Sequence, residues 1–476
     1  MSQLDLVITN ARIATATELF TADIGIRDGK IALLGKIDTA GVNVIDAQGK
    51  LVTPGGVDAH CHLDQPSSDG SIMADDFATG TVSAACGGTT TVLPFACQFK
   101  GQSLRSAVED YHRRAGNKPV IDYSFHLIVS DPTPQVLSEE LPALISEGYT
   151  HFKIYMTYDD LKVSDRQILD LLALARVEGA LPMIHAENDD CIAWLTDLLE
   201  QAGKTQPRFH SNARPTVMER EAAHRAISLA ELIDVPVLIV HVSGNAAMTQ
   251  IQQAQARGIS IFGETCPQYL FLTAEDLAAP GFEGAKCICS PPPRTVEDQE
   301  HIWRGLKTGV FQVFSSDHAP YSYAGPHGKK VAGDHAGFRH VPNGVPGIET
   351  RMSLLMSEGV QKGRIDIHQF VSLTATGPAK LYGLHPKKGT IAPGADADLV
   401  IWDTQRDFTL SNSMLHHNVD YTPYEGMRLS CWPERVFSRG ELIVENGNCI
   451  AQHGRGEFLR CSKPSFTKRR REFDWE

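Results

Sequence analysis

From Pro54 onward the chain alternates apolar strands with amphipathic helices, and few folds accept that texture. TTTVLPFAC precedes GQSLRSAVEDYHRRA, THFKIYMTY precedes SDRQILDLLALARVEG, and VPVLIVHVS precedes NAAMTQIQQAQARG. The pattern runs on through SIFGETCP and VFQVFSSDHAP. Strand–helix alternation implies a parallel sheet, and the number of repeats suits a closed (β/α)8 TIM barrel better than an open sheet. A doubly wound sheet is expected to carry a glycine-rich phosphate turn after its first strand, and the sequence has none.

Both ends read differently. Residues 1–53 are short strands with turns: DLVITNARIAT alternates, and IGIRDGKIALLG contains the Asp28-Gly29 hairpin signal. The same texture returns over residues 384–450, in DLVIWD and in RVFSRGELIVENGNCI with its Asn446-Gly447 turn. The two ends are expected to form one β-sandwich beside a metal-binding barrel spanning 54–383. Residues 451–476 read as a polar tail, either solvated or making a subunit contact, with a basic run at 468–471 offset by Glu472, Asp474 and Glu476.

A formal charge of -13 leaves no basic face to neutralise phosphates, which excludes nucleic acid as the expected partner. No apolar run approaches the ~18 residues of a membrane span. MSQLDLVITN lacks the basic start of a signal peptide, so the setting is expected to be cytoplasmic. The ten cysteines are scattered and expected to be reduced, Cys287 and Cys289 serving as small hydrophobes.

In a barrel of this kind chemistry sits at the carboxyl ends of the strands. VTPGGVDAHCHLDQP puts His60 and His62 at i and i+2, on one face of a strand and ~7 Å apart along it, a spacing that suits two ligands of one metal ion. Other strand ends carry His185, His241 and Asp317, and Lys153 lies within an apolar strand. Each alone has a plain reading: a core histidine bonded to a carbonyl, a helix cap, a lysine extending its stem to water. Six such residues at strand ends together point to a metal site.

Charge accounts for the lysine. Two divalent cations bring roughly four positive charges, neutral imidazoles cancel none, and Asp317 with a hydroxide cancels about two. A protonated Lys153 would worsen the excess. Its neutral amine can instead take up CO₂, and the resulting carbamate is an anion able to bridge both ions. Lys153 is therefore expected to be carboxylated. Zinc suits a histidine-rich set, with manganese and iron as alternatives.

These segments, with CSPPPR, SSDHAP, VPNGVPGIETR and NVDYTPYEG, resemble the dihydropyrimidinase/hydantoinase branch of the cyclic amidohydrolases along essentially the whole chain. The resemblance implies a barrel with a β-sandwich, a homotetramer or dimer, and one metal on His60, His62, Lys153 and Asp317. The second would sit on Lys153, His185 and His241. Tyr158 would hydrogen-bond the reacting carbonyl, and the backbone groups of Ser290 and Asn343 would hold the cyclic imide edge. Leu63 and Tyr155 would line a pocket for the exocyclic substituent. The implied reaction is attack by a metal-bridging hydroxide on a small cyclic amide, with Asp317 as general base and then acid, giving an N-carbamoyl amino acid. Dihydroorotase would want an arginine at position 64, where Asp64 stands and would repel a carboxylate. Allantoinase or another cyclic imide hydrolase remains an alternative. A one-metal deaminase would lack the lysine, and a non-enzymatic relative would have lost ligands.

Overall fold

The computed structural model describes residues 4–466; the basic run at 468–471 lies outside them. Eight parallel strands follow one another around a barrel: Gly56–Cys61, Thr89–Cys97, His126–Ile128, His151–Tyr155, Leu181–His185, Val237–Ile239, Ile261–Thr265 and Val313–Phe314. The first and last meet where the His62 amide donates to the His318 carbonyl (2.7 Å) and the Asp317 amide to that of His60 (2.8 Å). These strands are apolar on both faces because helices cover them outside and side chains fill them inside. IDYSFHLIV, which reads as one strand, is broken into Asp122–Tyr123 and His126–Ile128.

Strands from both ends of the chain share one nine-stranded sheet, the β-sandwich part of the fold. Leu399–Asp403 lies between Leu51–Pro54 and Trp432–Ser438, so a segment late in sequence is flanked by an early one. Its unbroken hydrophobicity follows from burial on two sides. Leu399 and Ile401 join Ile8, Ile24 and Val52 in the sheet's own core. Val400 and Trp402 face the main core. The Asp28-Gly29 turn has φ of 51° and 73° and joins Leu19–Arg27 to Lys30–Gly35, as its sequence signal predicts.

The described part of the tail is more ordered than its polarity suggests. The Leu459 amide bonds the Tyr123 carbonyl (2.7 Å) and that of Cys461 the Gly148 carbonyl (2.9 Å). Phe458 packs edge-on against Tyr123 and His112 and tilted against Phe125. Residues 451–466 thus pack against their own barrel.

Candidate active site

His60 and His62 stand at the carboxyl end of the first barrel strand, where alternation sends both rings to the barrel interior. Each ring spends one nitrogen on an outer acceptor. His60 Nδ1 meets Glu264 Oε1 at 2.6 Å, and His62 Nδ1 meets Gln65 Oε1 at 2.7 Å. Their Nε2 atoms turn inward to Asp317 Oδ1, at 3.1 and 3.3 Å. His60 Nε2 also lies 2.8 Å from Lys153 Nζ. His185 follows the same rule: Nε2 bonds Glu187 Oε2 at 2.8 Å, leaving Nδ1 facing His241 Nε2 at 2.8 Å. His241 Nδ1 is buried without a partner.

All six residues are buried. Burial lowers the pKa of His62, His185 and His241, holding these imidazoles neutral with lone pairs available. Burial would do the same to His60, but the Glu264 carboxylate overrides it and raises the ring. Burial pushes the Asp317 carboxyl up, yet His60, His62 and His241 outweigh it and hold the group well below the usual range, as carboxylate. Lys153 is lowered by burial to about 8, against the opposing pull of Asp317 and Glu264. At neutral pH a fraction of it is uncharged amine.

The donor set fits divalent cations. Inward-facing nitrogens and a carboxylate converge, while outer acceptors fix the tautomers of His60, His62 and His185, the pattern by which proteins orient metal-binding imidazoles. His60, His62 and Asp317 bring one ligand atom each within 4.8 Å of one another. Backbone strain collects at the same place. His241, Asp317 and Tyr158 have φ of 39°, 47° and 72°, a left-handed conformation held only where surrounding packing imposes it.

A cavity of about 460 Å³ opens over this cluster. Tyr155, Tyr158, Ser290 and Asn343 line it together with His62, Lys153, His185, His241 and Asp317. Tyr158 packs edge-on against His185, and burial raises its hydroxyl pKa, so it stays a donor. Ser290 Oγ donates to Glu187 Oε2 (2.7 Å), and Asn343 Oδ1 is buried without a partner.

Two expectations fail. Leu63 does not line the cavity: one residue past His62, alternation turns it outward, where its Cδ2 would lie 2.3 Å from a Cβ on Gly80. Asp64 is not at the cavity either; it has φ of 47° and pairs with Arg114 Nη1 at 3.1 Å. The structure adds three charged residues to the site: Glu264, which accepts from His60 and from the His241 amide (3.1 Å), Glu187, and Arg214, which donates to Glu187 at 3.0 Å. A charged residue inside SIFGETCP, at a barrel-strand end, was the available signal for Glu264.

Residues 51–443 match the amidohydrolase family, and residues 1–52 match the N-terminal domain of the urease alpha-subunit. A D-hydantoinase of Rhizobium radiobacter is 43% identical over 461 residues, 97% of this chain and 99% of its own. One from Geobacillus stearothermophilus is 45% identical over 460 residues, 96% of each chain. The solved dihydropyrimidinase of Brevibacillus agri is similar at a TM-score of 0.93 and 42% identity, covering 96% of this chain and 98% of its own.

Proposed function

The chain belongs to the amidohydrolase family, and from that premise we propose that its site opens a 5,6-dihydropyrimidine or a 5-substituted hydantoin to an N-carbamoyl amino acid. It is an enzyme, a hydrolase of cyclic amides of the hydantoinase and dihydropyrimidinase type. Allantoinase is disfavoured, because relatives matched along the full chain bear hydantoinase and dihydropyrimidinase names.

His60, His62, Lys153 and Asp317 would hold one divalent cation, and Lys153, His185 and His241 the other, zinc being best suited to so many imidazoles. Lys153 would carry a carbamate shared by both. Bound there, the cations would lower the pKa of water and polarise the ring carbonyl. Asp317, kept anionic by its histidine neighbours, accepts the attacking water's proton at Oδ and returns it to the departing ring nitrogen. The Tyr158 hydroxyl donates to the carbonyl oxygen as charge develops on it. Ser290 and Asn343 hold the imide edge through their backbone groups, and Tyr155 borders the exocyclic substituent. We place the enzyme in the cytoplasm as a homotetramer or dimer. Among the described residues no helix is long and apolar enough to cross a membrane.

The observation that carries this reading is the meeting of the His60 and His62 Nε2 atoms on Asp317, with Lys153 Nζ on His60 and the facing His185–His241 pair, around one cavity. Purified protein assayed against dihydrouracil, hydantoin, phenylhydantoin, allantoin and dihydroorotate should turn over members of the first three. Lys153→Ala should lose bound metal and activity together, and Asp317→Asn should lose at least ~100-fold in turnover. Full metal content in Lys153→Ala, or allantoin as the best substrate, would overturn it.

A further inference from the structure

Lys329 is fully buried, 0% exposed, yet it faces carbonyls rather than carboxylates. Its Nζ donates to the carbonyls of Ile288 (2.8 Å), Pro342 (2.7 Å) and Gly344 (2.6 Å). An ammonium has three N–H donors, so three acceptors satisfy it completely, and a neutral amine would leave one of them unserved. Burial lowers the group to about 7. Burying a charge without an anion is costly, and a lysine is a poor choice for filling space alone.

Its position explains the cost. Ile288 lies two residues before Ser290, while Pro342 and Gly344 bracket Asn343, and both Ser290 and Asn343 line the cavity. The Ile288 carbonyl also accepts from the Gly344 amide at 3.0 Å, so one oxygen ties the two segments directly. Pinning the carbonyls of Pro342 and Gly344 to the lysine fixes Asn343 between two anchored neighbours. The lysine is itself anchored, its amide donating to the Ser322 carbonyl at 2.8 Å.

We propose that Lys329 is a positioning residue for substrate: one buried ammonium clamps the 288–290 and 342–344 segments at the separation that lets Ser290 and Asn343 grip the two ends of a cyclic imide edge. The inference rests on the proposed role of those two residues. It assigns to Lys329 ring recognition and no part in the bond-breaking step, because its Nζ is occupied by carbonyls and the residue does not line the cavity.

The test uses the full-length, metal-loaded enzyme with Lys329→Met, which keeps the stem and removes every donor, and Lys329→Gln, which keeps two donors without the charge. Losing the clamp should raise KM for the ring substrate about 10- to 100-fold in Lys329→Met, the scale of a small misplacement of binding groups. It should leave kcat within about threefold and metal content unchanged, since neither Asp317 nor the ligands are touched. Lys329→Gln should fall between wild type and Lys329→Met. Amide hydrogen exchange should quicken in the peptides carrying 286–291 and 340–347. A folded variant with wild-type KM, or one whose kcat falls while KM holds, would overturn the clamp, as would unchanged exchange in both peptides. Should Lys329→Met not fold, Lys329→Gln decides by the same measurements. The exchange experiment needs no substrate, so it separates a failed clamp from a failed reading of the reaction.

Discussion

At the scale of single residues, the ion pairs that lie beyond the cavity are the easiest to test. Glu349 Oε1 meets His416 Nδ1 at 2.8 Å, and its Oε2 accepts from the His416 amide at 2.8 Å. That carboxylate raises His416 above its ordinary 6.5, with partial burial opposing. A raised histidine stabilises the fold fully below its unfolded pKa and loses that contribution as pH climbs through the folded value. The gap in melting temperature between wild type and His416→Gln should therefore be widest near about pH 5 and should close by about pH 9. A gap that stays constant or widens toward alkaline pH would refute the pairing. At this scale the sequence was most legible where chemistry has a period: His60 and His62 share a face because strands alternate, and Lys153, His185, His241 and Asp317 stand at or near strand ends. The same logic places Leu63 away from the cavity, since alternation that turns His62 inward turns Leu63 outward. Glu187 and Glu264 escaped because an acceptor behind a ring has no spacing of its own, only a three-dimensional neighbour.

At the scale of elements, helix Phe77–Cys86 shows how the barrel is braced. Asp76 caps its start, accepting from the Ala78 and Thr79 amides at 2.8 and 3.1 Å. Gly87 closes its end with φ of -83°, which any residue can adopt, so the glycine is not needed for conformation. It is needed for room: a Cβ there would lie 2.3 Å from the Glu349 carbonyl oxygen. Gly87→Ala should therefore destabilise the enzyme by about 1–3 kcal/mol through overpacking, with the helix itself intact. Chemical denaturation would measure this, and a loss under ~0.5 kcal/mol would mean that the 349 segment yields freely. Elements of this length were readable from periodicity. The broken third strand and the ordered tail were not, because both depend on partners hundreds of positions apart, Tyr123 with Phe458.

At the scale of the whole molecule, the terminal sheet and the barrel are joined by a buried ion cluster. Lys388 Nζ lies 2.6 Å from Asp122 Oδ2, beside the barrel, and 2.8 and 3.0 Å from Asp398 and Asp396 in the approach to the terminal sheet. Lys388→Met would strand buried carboxylates and should cost ~3–5 kcal/mol, far more than its lost volume. Thermal unfolding checks this, and a variant as stable as wild type would show that water reaches the cluster. That both chain ends share a sheet could be read from their texture, but the placement of Leu399–Asp403 between two strands remote in sequence could not, since pairing order leaves no local trace. Leu51–Pro54 belongs to that sheet and Gly56–Cys61 to the barrel, with Gly55 alone between them and Thr90 Oγ1 only 2.2 Å from where its Cβ would sit. The ribbon is thus a strut without a joint. Tilting the outer layer tilts His60, and a disturbance at the far end of the chain arrives at the imidazoles as an error of aim.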